Sequence, residues 1–216
     1  MDELTTRRRV RGRPRADDDT ALTRDAILSR ALTHFAVAGY HGFSLRELAR
    51  ELGVSHGLLN IRFGTKDELW RAAVEWGLAH VADRLNQTHR DGSLEDRFRE
   101  AVIAILMAID AVPSLLQLVN QEAAVPSERL TFLTETIIKA RYSVLEDIVR
   151  EGIACGRFCE VPPHLVFILV AHGGGAMFAL KPLSLRLGLL EADTGQAVRA
   201  RAEQVAEFVL RGLLQR

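Results

Sequence analysis

"SLRELARELGVSHGLLNIRFGTK", residues 44–66, decides how the rest of the chain is read. Ser44 followed three residues later by Glu47 is a capping box: the hydroxyl accepts from the first turn, and the glutamate reaches back to the serine N–H. Leu45, Leu48, Ala49 and Leu52 then recur at spacings of three and four, which predicts a helix with one apolar face, and Gly53 ends it. Ser55 caps a second, short helix, HGLLNIRF, and Gly64 interrupts it. Thr65 with Glu68 is another capping box and opens a long helix to about Leu85. Upstream, Ile27, Leu28, Ala31, Leu32 and Phe35 predict a helix from Asp25 with Gly39 as its C-cap. Residues 44–64 therefore read as a helix-turn-helix, with a helix in front to complete a small core.

In that arrangement helix 44–52, opening on Ser44, Leu45 and Arg46, lies across a DNA backbone, and helix 55–62 enters the major groove. Ser55 and His56 stand at its first turn, where free backbone N–H groups suit a phosphate. Gly57 removes a side chain at a close approach, Asn60 can pair with an adenine edge, and Arg62 can reach a phosphate or a guanine. Lys66, at the start of the next helix, is placed for backbone phosphate.

Charge points the same way. The chain has no net charge, yet residues 1–15 hold six arginines against Asp2 and Glu3, a balance of +4, and the remainder carries −4. The run RRRVRGRPR, with Arg11, Arg13 and Arg15 around a Gly and a Pro, reads as a disordered basic arm suited to a narrow minor groove. Residues 20–66 add six basic residues against three acidic ones. A polyanionic partner, double-stranded DNA, follows from this distribution rather than from the total.

The stretch from Ala26 to Val74 resembles the DNA-binding domain of the tetracycline-repressor (TetR) family of transcriptional regulators. The resemblance rests on Phe35, Gly39, Tyr40, Ser44, Leu48, Ala49, Gly53, Val54, Ser55, Gly57, Leu59, Phe63, Lys66 and Leu69. Asn60 stands where the family usually has Tyr, and Arg62 where it has His or Tyr. The resemblance implies an all-helical homodimer on a near-palindromic operator, with a helical ligand-binding domain whose last two helices, here 164–180 and 195–214, form the dimer interface. The expected function is a ligand-responsive repressor; a DNA-binding regulator without effector is the alternative.

The rest of the chain fits an all-α fold of about nine helices, divided into an arm (1–19), a DNA-binding domain (20–66) and a ligand-binding and dimerisation domain (67–216). Helices are expected at 93–112, ended by Pro113; at 114–124, a candidate coupling element between prolines; at 127–155; at 164–180, closed by Lys181 and Pro182; and over the last two dozen residues on Val198, Val205, Phe208, Val209 and Leu213. Some 130 residues of apolar helix exceed what DNA binding needs, so a small apolar effector is expected. Met107, Gln117, Gln121, Tyr142, His172 and Phe178 are the candidate contacts, with Asn120, Phe132, Arg141, Phe167 and Met177 also in reach of such a site. The glycines at 173–175 either let a partner helix approach, across a dimer interface or beside a ligand pocket, or make a break or bulge in the helix that places His172 in the pocket.

Other chemistries fit less well. GVSHG (53–57) matches a nucleophile elbow and HGGGA (172–176) an oxyanion loop, but a serine hydrolase needs a strand before the serine, and SLRELAREL is a capped helix. Cys155, Cys159, His164 and His172 lack the paired spacing of a zinc site, and neither metal nor cofactor is expected. The longest apolar run, 165–180, is short for a membrane span, and the polar ADDDTALTRD after the basic start does not read as a secretory signal. A cytoplasmic, non-enzymatic protein is the expectation.

Overall fold

Each helix of the 44–66 motif begins at the side chain expected to cap it. In the computed structural model, which describes residues 23–86, 92–188 and 195–215, Ser44 Oγ accepts from the Glu47 N–H at 3.3 Å to open α2 (Leu45–Glu51). Ser55 Oγ accepts from the Leu58 N–H at 3.1 Å to open α3 (His56–Phe63). The capping box at α4 (Lys66–Asn86) is complete: Thr65 Oγ1 accepts from the Glu68 N–H, and Glu68 Oε2 accepts from the Thr65 N–H at 2.7 Å. Gly53 holds the turn at φ +68°, a left-handed value that glycine adopts without strain. Helix α1 (Arg24–Gly42) does not stop at Gly39; that residue makes a kink at φ +70° and the helix is taken up again to Gly42. His34 and Arg30 of α1 both pair with Glu51 of α2.

Beyond this unit α5 (Leu94–Ala111) starts at the Ser93 cap, and Pro113 at the first position of α6 (Pro113–Glu122) turns the chain by 93°. Helix α7 comprises Glu128–Leu133, a π-helical turn Thr134–Ile138, and Lys139–Ala154. Helix α8 (Pro163–Ala179) contains a second π turn, Leu169–Gly174. Helix α9 (Lys181–Arg186) follows where closure was expected, with Pro182 in its first turn, and brings the helices to ten among the described residues. Helix α10 (Gly195–Leu213) packs along α5. The loop at 155–162 makes one isolated bridge, Phe158 with Leu214, the single strand-like pairing among the described residues.

Two apolar clusters hold these elements. The first joins α1–α4 through Phe35, Leu48, Leu59 and Trp70, and takes in Leu118 of α6 and Leu133 of α7. The second joins α5, α7, α8 and α10 through Phe98, Leu106, Val149, Phe178 and Leu210. Val198 and Leu213 are buried as expected, but Phe208 is 81% exposed and lies outside the core: α10 faces α5 through Ala202, Ala206 and Leu210 instead. Two of the three glycines serve packing within the chain, while a Cβ on Gly173 would meet nothing within 4 Å. A Cβ on Gly174 would sit 2.7 Å from Val205 of α10, and one on Gly175 would sit 2.0 Å from the Ala171 carbonyl oxygen. Gly175 is thus needed at the exit of the π turn, and α8 bulges around His172 without ending there.

Candidate nucleic-acid interface and apolar cavity

Helix α3 divides its residues cleanly between two faces. Leu59 and Phe63 point into the first core, while His56, Gly57, Asn60 and Arg62 are exposed together. Asn60 Nδ2 lies 3.2 Å from His56 Nδ1, so the two polar side chains form one i, i+4 pair on the outer surface. A Cβ on Gly57 would meet nothing nearer than Ser55 Oγ at 4.0 Å, so the chain's own packing does not require glycine there. Two apolar residues share this face and were not singled out from sequence: Leu58, 42% exposed, and Ile61, 88% exposed. Their signal is their register, since both fall opposite Leu59 and Phe63. On α2, Ser44 and Leu45 are half-buried and Arg46 is exposed.

Lys66 is held by the fold. Its Nζ donates to the Phe43 carbonyl at 3.0 Å and lies 4.8 Å from the Tyr40 ring, and burial lowers its pKa, with the nearby Arg129 adding to the shift. An ammonium has three N–H donors, so this seat leaves capacity for an outside acceptor. Arg129 stacks on Tyr40 at 3.9 Å and pairs at 2.9 Å with Glu122, a carboxylate buried at the end of α6. Gln121 Nε2 donates to the Ala36 carbonyl at 2.5 Å, next to the Gly39 kink. The C-terminal end of α6 is therefore bonded to the helix-turn-helix unit. Arg11, Arg13 and Arg15 of the expected arm lie outside the described residues.

The other end and flank of α6 line a cavity of about 100 Å³. Its wall is drawn from α4 (Leu78, Val81), α5 (Ile105, Ile109), α6 (Leu115, Leu116, Val119), α7 (Ile137, Ile138, Arg141) and α8 (Phe167, Ala171, His172). Both π turns contribute, and π turns recur at functional sites because they re-aim side chains out of regular register. Arg141 and His172 are the charged or titratable groups in an otherwise apolar lining. Burial lowers the pKa of each. His172 Nδ1 lies 2.6 Å from Asn120 Oδ1, which ties the α8 turn to α6.

Of the six candidate contacts, His172 lines this cavity and five stand elsewhere. Gln121 braces α1, and Gln117 donates to the Ala179 carbonyl at 2.7 Å. Phe178 is fully buried in the second core, Met107 packs against that core, and Tyr142 meets Phe167 edge-on. Phe167 and Arg141, singled out for composition alone, do reach the wall. The hydrolase motifs fail on geometry: Ser55 follows helix α2 rather than a strand, and residues 172–174 belong to a π turn. No single helix among the described residues is long and apolar enough to cross a membrane.

Residues 27–73 match the family model of bacterial regulatory proteins, tetR family. A curated relative, the biofilm operon icaADBC HTH-type negative transcriptional regulator IcaR of Staphylococcus epidermidis, is 24% identical over 107 residues, 49% of this chain and 58% of that protein. The match thus spans little more than half the length of the curated relative. Among solved structures, a bacterial regulatory protein in the tetR family from Rhodococcus RHA1 aligns with TM-score 0.67 and 20% identity over 88% of this chain and 96% of that one. The TetR family transcriptional regulator PfmR from Thermus thermophilus aligns with TM-score 0.63 and 22% identity over 90% and 98%. At these identities the structural likeness is one of fold.

Proposed function

We propose that this chain, which belongs to the tetR family of bacterial regulatory proteins, binds an operator as a homodimer and represses transcription until a small apolar effector occupies its cavity. The observation that carries the reading is the outer face of α3. His56, Asn60 and Arg62 offer donors and acceptors for base edges and phosphates, Gly57 admits the backbone closely, and Ile61 suits a thymine methyl. A large apolar side chain left in water on a polar face is explained by such a contact. Ser44, Leu45, Arg46, Ser55 and Lys66 would position the unit on phosphates, and the arm with Arg11, Arg13 and Arg15 would reach the adjacent minor groove. In this division residues 20–66 read DNA, and residues 67–216 sense and dimerise.

Dimerisation through α8 and α10 is supported by the apolar residues they leave exposed, Leu165, Ile168 and Leu169 on one and Phe208 on the other. Repression as the sense of regulation follows the negative regulator named among the relatives. Coupling would run through α6, which touches the cavity with Leu115, Leu116 and Val119 and the DNA-binding unit with Gln121 and the Glu122–Arg129 pair. An effector shifts this equilibrium only if it binds the two positions of α6 unequally.

Selection of bound sequences from random DNA by the full chain tests the function. The expected product is a near-palindrome with half-sites about one turn, roughly 34–36 Å, apart. Recovery of unenriched sequence would overturn it.

A further inference from the structure

We propose that α3 selects A·T base pairs in the major groove: Asn60, its amide oriented by His56, takes an adenine edge, and Ile61 takes a thymine methyl. This deepens the reading of α3 as the DNA-reading helix and rests on it. Leu59 and Phe63 are buried, and at about 100° of turn per residue Ile61, two positions from each, lies opposite both. Ile61 therefore stands on the outermost line of the helix. Gly57 lies one turn earlier on the same line, with His56 and Asn60 along one flank.

An asparagine amide has two N–H donors and one acceptor oxygen. Asn60 Nδ2 lies 3.2 Å from His56 Nδ1, and an amide nitrogen only donates, so one N–H is spent on the imidazole and Nδ1 accepts it. What remains for an outside partner is one donor beside one acceptor. Adenine presents the complement, N7 as acceptor and the N6 amino group as donor. Guanine presents two acceptors, N7 and O6, and would set the amide oxygen against O6. The amide turned over, with Oδ1 toward the ring, would offer two donors and favour guanine instead. His56 is thus a positioning residue: it decides which pattern Asn60 offers to a base.

Ile61 adds a second, independent preference for the same base pair. It is 88% exposed, and Leu58, three residues before it, is 42% exposed. The apolar group that the major groove offers is the thymine C5-methyl, which cytosine lacks. A methyl seated on Ile61 removes apolar area of both partners from water. Gly57 lets the helix sit deep enough for that contact, since its bare backbone leaves the outermost line open one turn before Ile61 and the chain's own packing does not call for glycine there. Residues 20–66 carry six basic residues against three acidic ones, so the occupant of this face is a polyanion rather than a second apolar surface. An A·T pair displays the adenine edge and the thymine methyl together, and both side chains select it.

Equilibrium binding of the full chain to its selected operator tests the proposal with base analogues, which need no variant. Uracil in place of thymine removes the methyl and keeps the hydrogen-bonding pattern. At one thymine in each half-site it should lower affinity roughly 3- to 10-fold, the worth of a small apolar contact. 7-Deazaadenine in place of adenine removes the N7 acceptor, and at one adenine in each half-site it should cost roughly 3- to 10-fold, the worth of one hydrogen bond. Ile61→Ala, at an exposed position, should make thymine and uracil duplexes bind alike. Asn60→Ala should do the same for adenine and 7-deazaadenine. His56→Ala should shrink the 7-deazaadenine effect and leave the uracil effect intact, whereas a histidine that only supports the helix would weaken all duplexes equally. Indifference to uracil at every thymine, indifference to 7-deazaadenine at every adenine, an effect that survives its variant, or equal binding with guanine at the adenine position would each overturn the proposal. Preference for operator over scrambled duplex, measured on the same samples, separates the two readings: if it persists without analogue effects, base selection by Asn60 and Ile61 fails alone, and if it is absent the regulator fails with it.

Discussion

The outward face of α3 and the cavity are both built from amphipathic helices, in opposite ways. All the outward residues of α3 come from one eight-residue helix in regular register, carried on a core of Leu59 and Phe63. The cavity takes its wall from five helices and from two stretches that leave α-helical register. The first is a surface that local folding creates as soon as α3 is docked. The second exists only when α4 to α8 are all in place, so it is exposed to any change in how those helices meet.

The largest expected effect breaks the first region at its support. Leu59→Ala removes a fully buried side chain and should cost about 2–5 kcal/mol in denaturant unfolding, with DNA binding falling as the unit loosens. A smaller effect is expected at the cavity from Gly175→Ala. The added methyl meets the Ala171 carbonyl and Ile109, and should cost about 1–3 kcal/mol by the same measurement. Its sharper readout is loss of effector binding with DNA binding retained, because the displaced π turn carries His172. Ser55→Ala removes the α3 cap and should cost about 1 kcal/mol, with no effect on cavity binding.

The smallest effect is electrostatic. Burial depresses the His172 pKa in the folded chain, so the unfolded chain binds this proton more readily as pH falls. Stability should therefore decline as pH drops through the unfolded value of about 6.5 and level off below the folded pKa. His172→Gln should flatten that part of a Tm profile against pH; an unchanged profile would place the dependence on other groups.

The contrast also explains what could be read before folding. Caps act over three residues, so Ser44, Ser55 and Thr65 marked their helices correctly, and the 3.6 period identified Leu48 and Ala49 as core. The polar residues of α3 were legible because helix-turn-helix geometry assigns each position a side. Ile61 was passed over because hydrophobicity alone suggests burial, whereas its register turns it outward. The cavity was legible only in its composition. Nothing local distinguishes Arg141, which reaches the wall, from Gln117, which bonds the Ala179 carbonyl, because the difference lies in where α8 crosses α6. The π turn at 169–174 is fitted to Val205 and Ile109, residues far off in the chain, through the space that glycine leaves. Helix α9 and the exposure of Phe208 were missed for the same reason: tertiary placement, not periodicity, decides them.

Sequence-specific DNA binding by the α3 face is tested most directly by equilibrium binding of the full chain to its selected operator and to a scrambled duplex, over a range of salt. The unmodified protein should lose affinity for both duplexes as salt rises, with a log–log slope of roughly 0.9 for each phosphate contacted. Asn60→Ala should weaken operator binding by about 1–3 kcal/mol and leave the scrambled duplex nearly unaffected. Equal losses on the two duplexes, or salt-independent binding, would contradict the placement of α3 in the major groove.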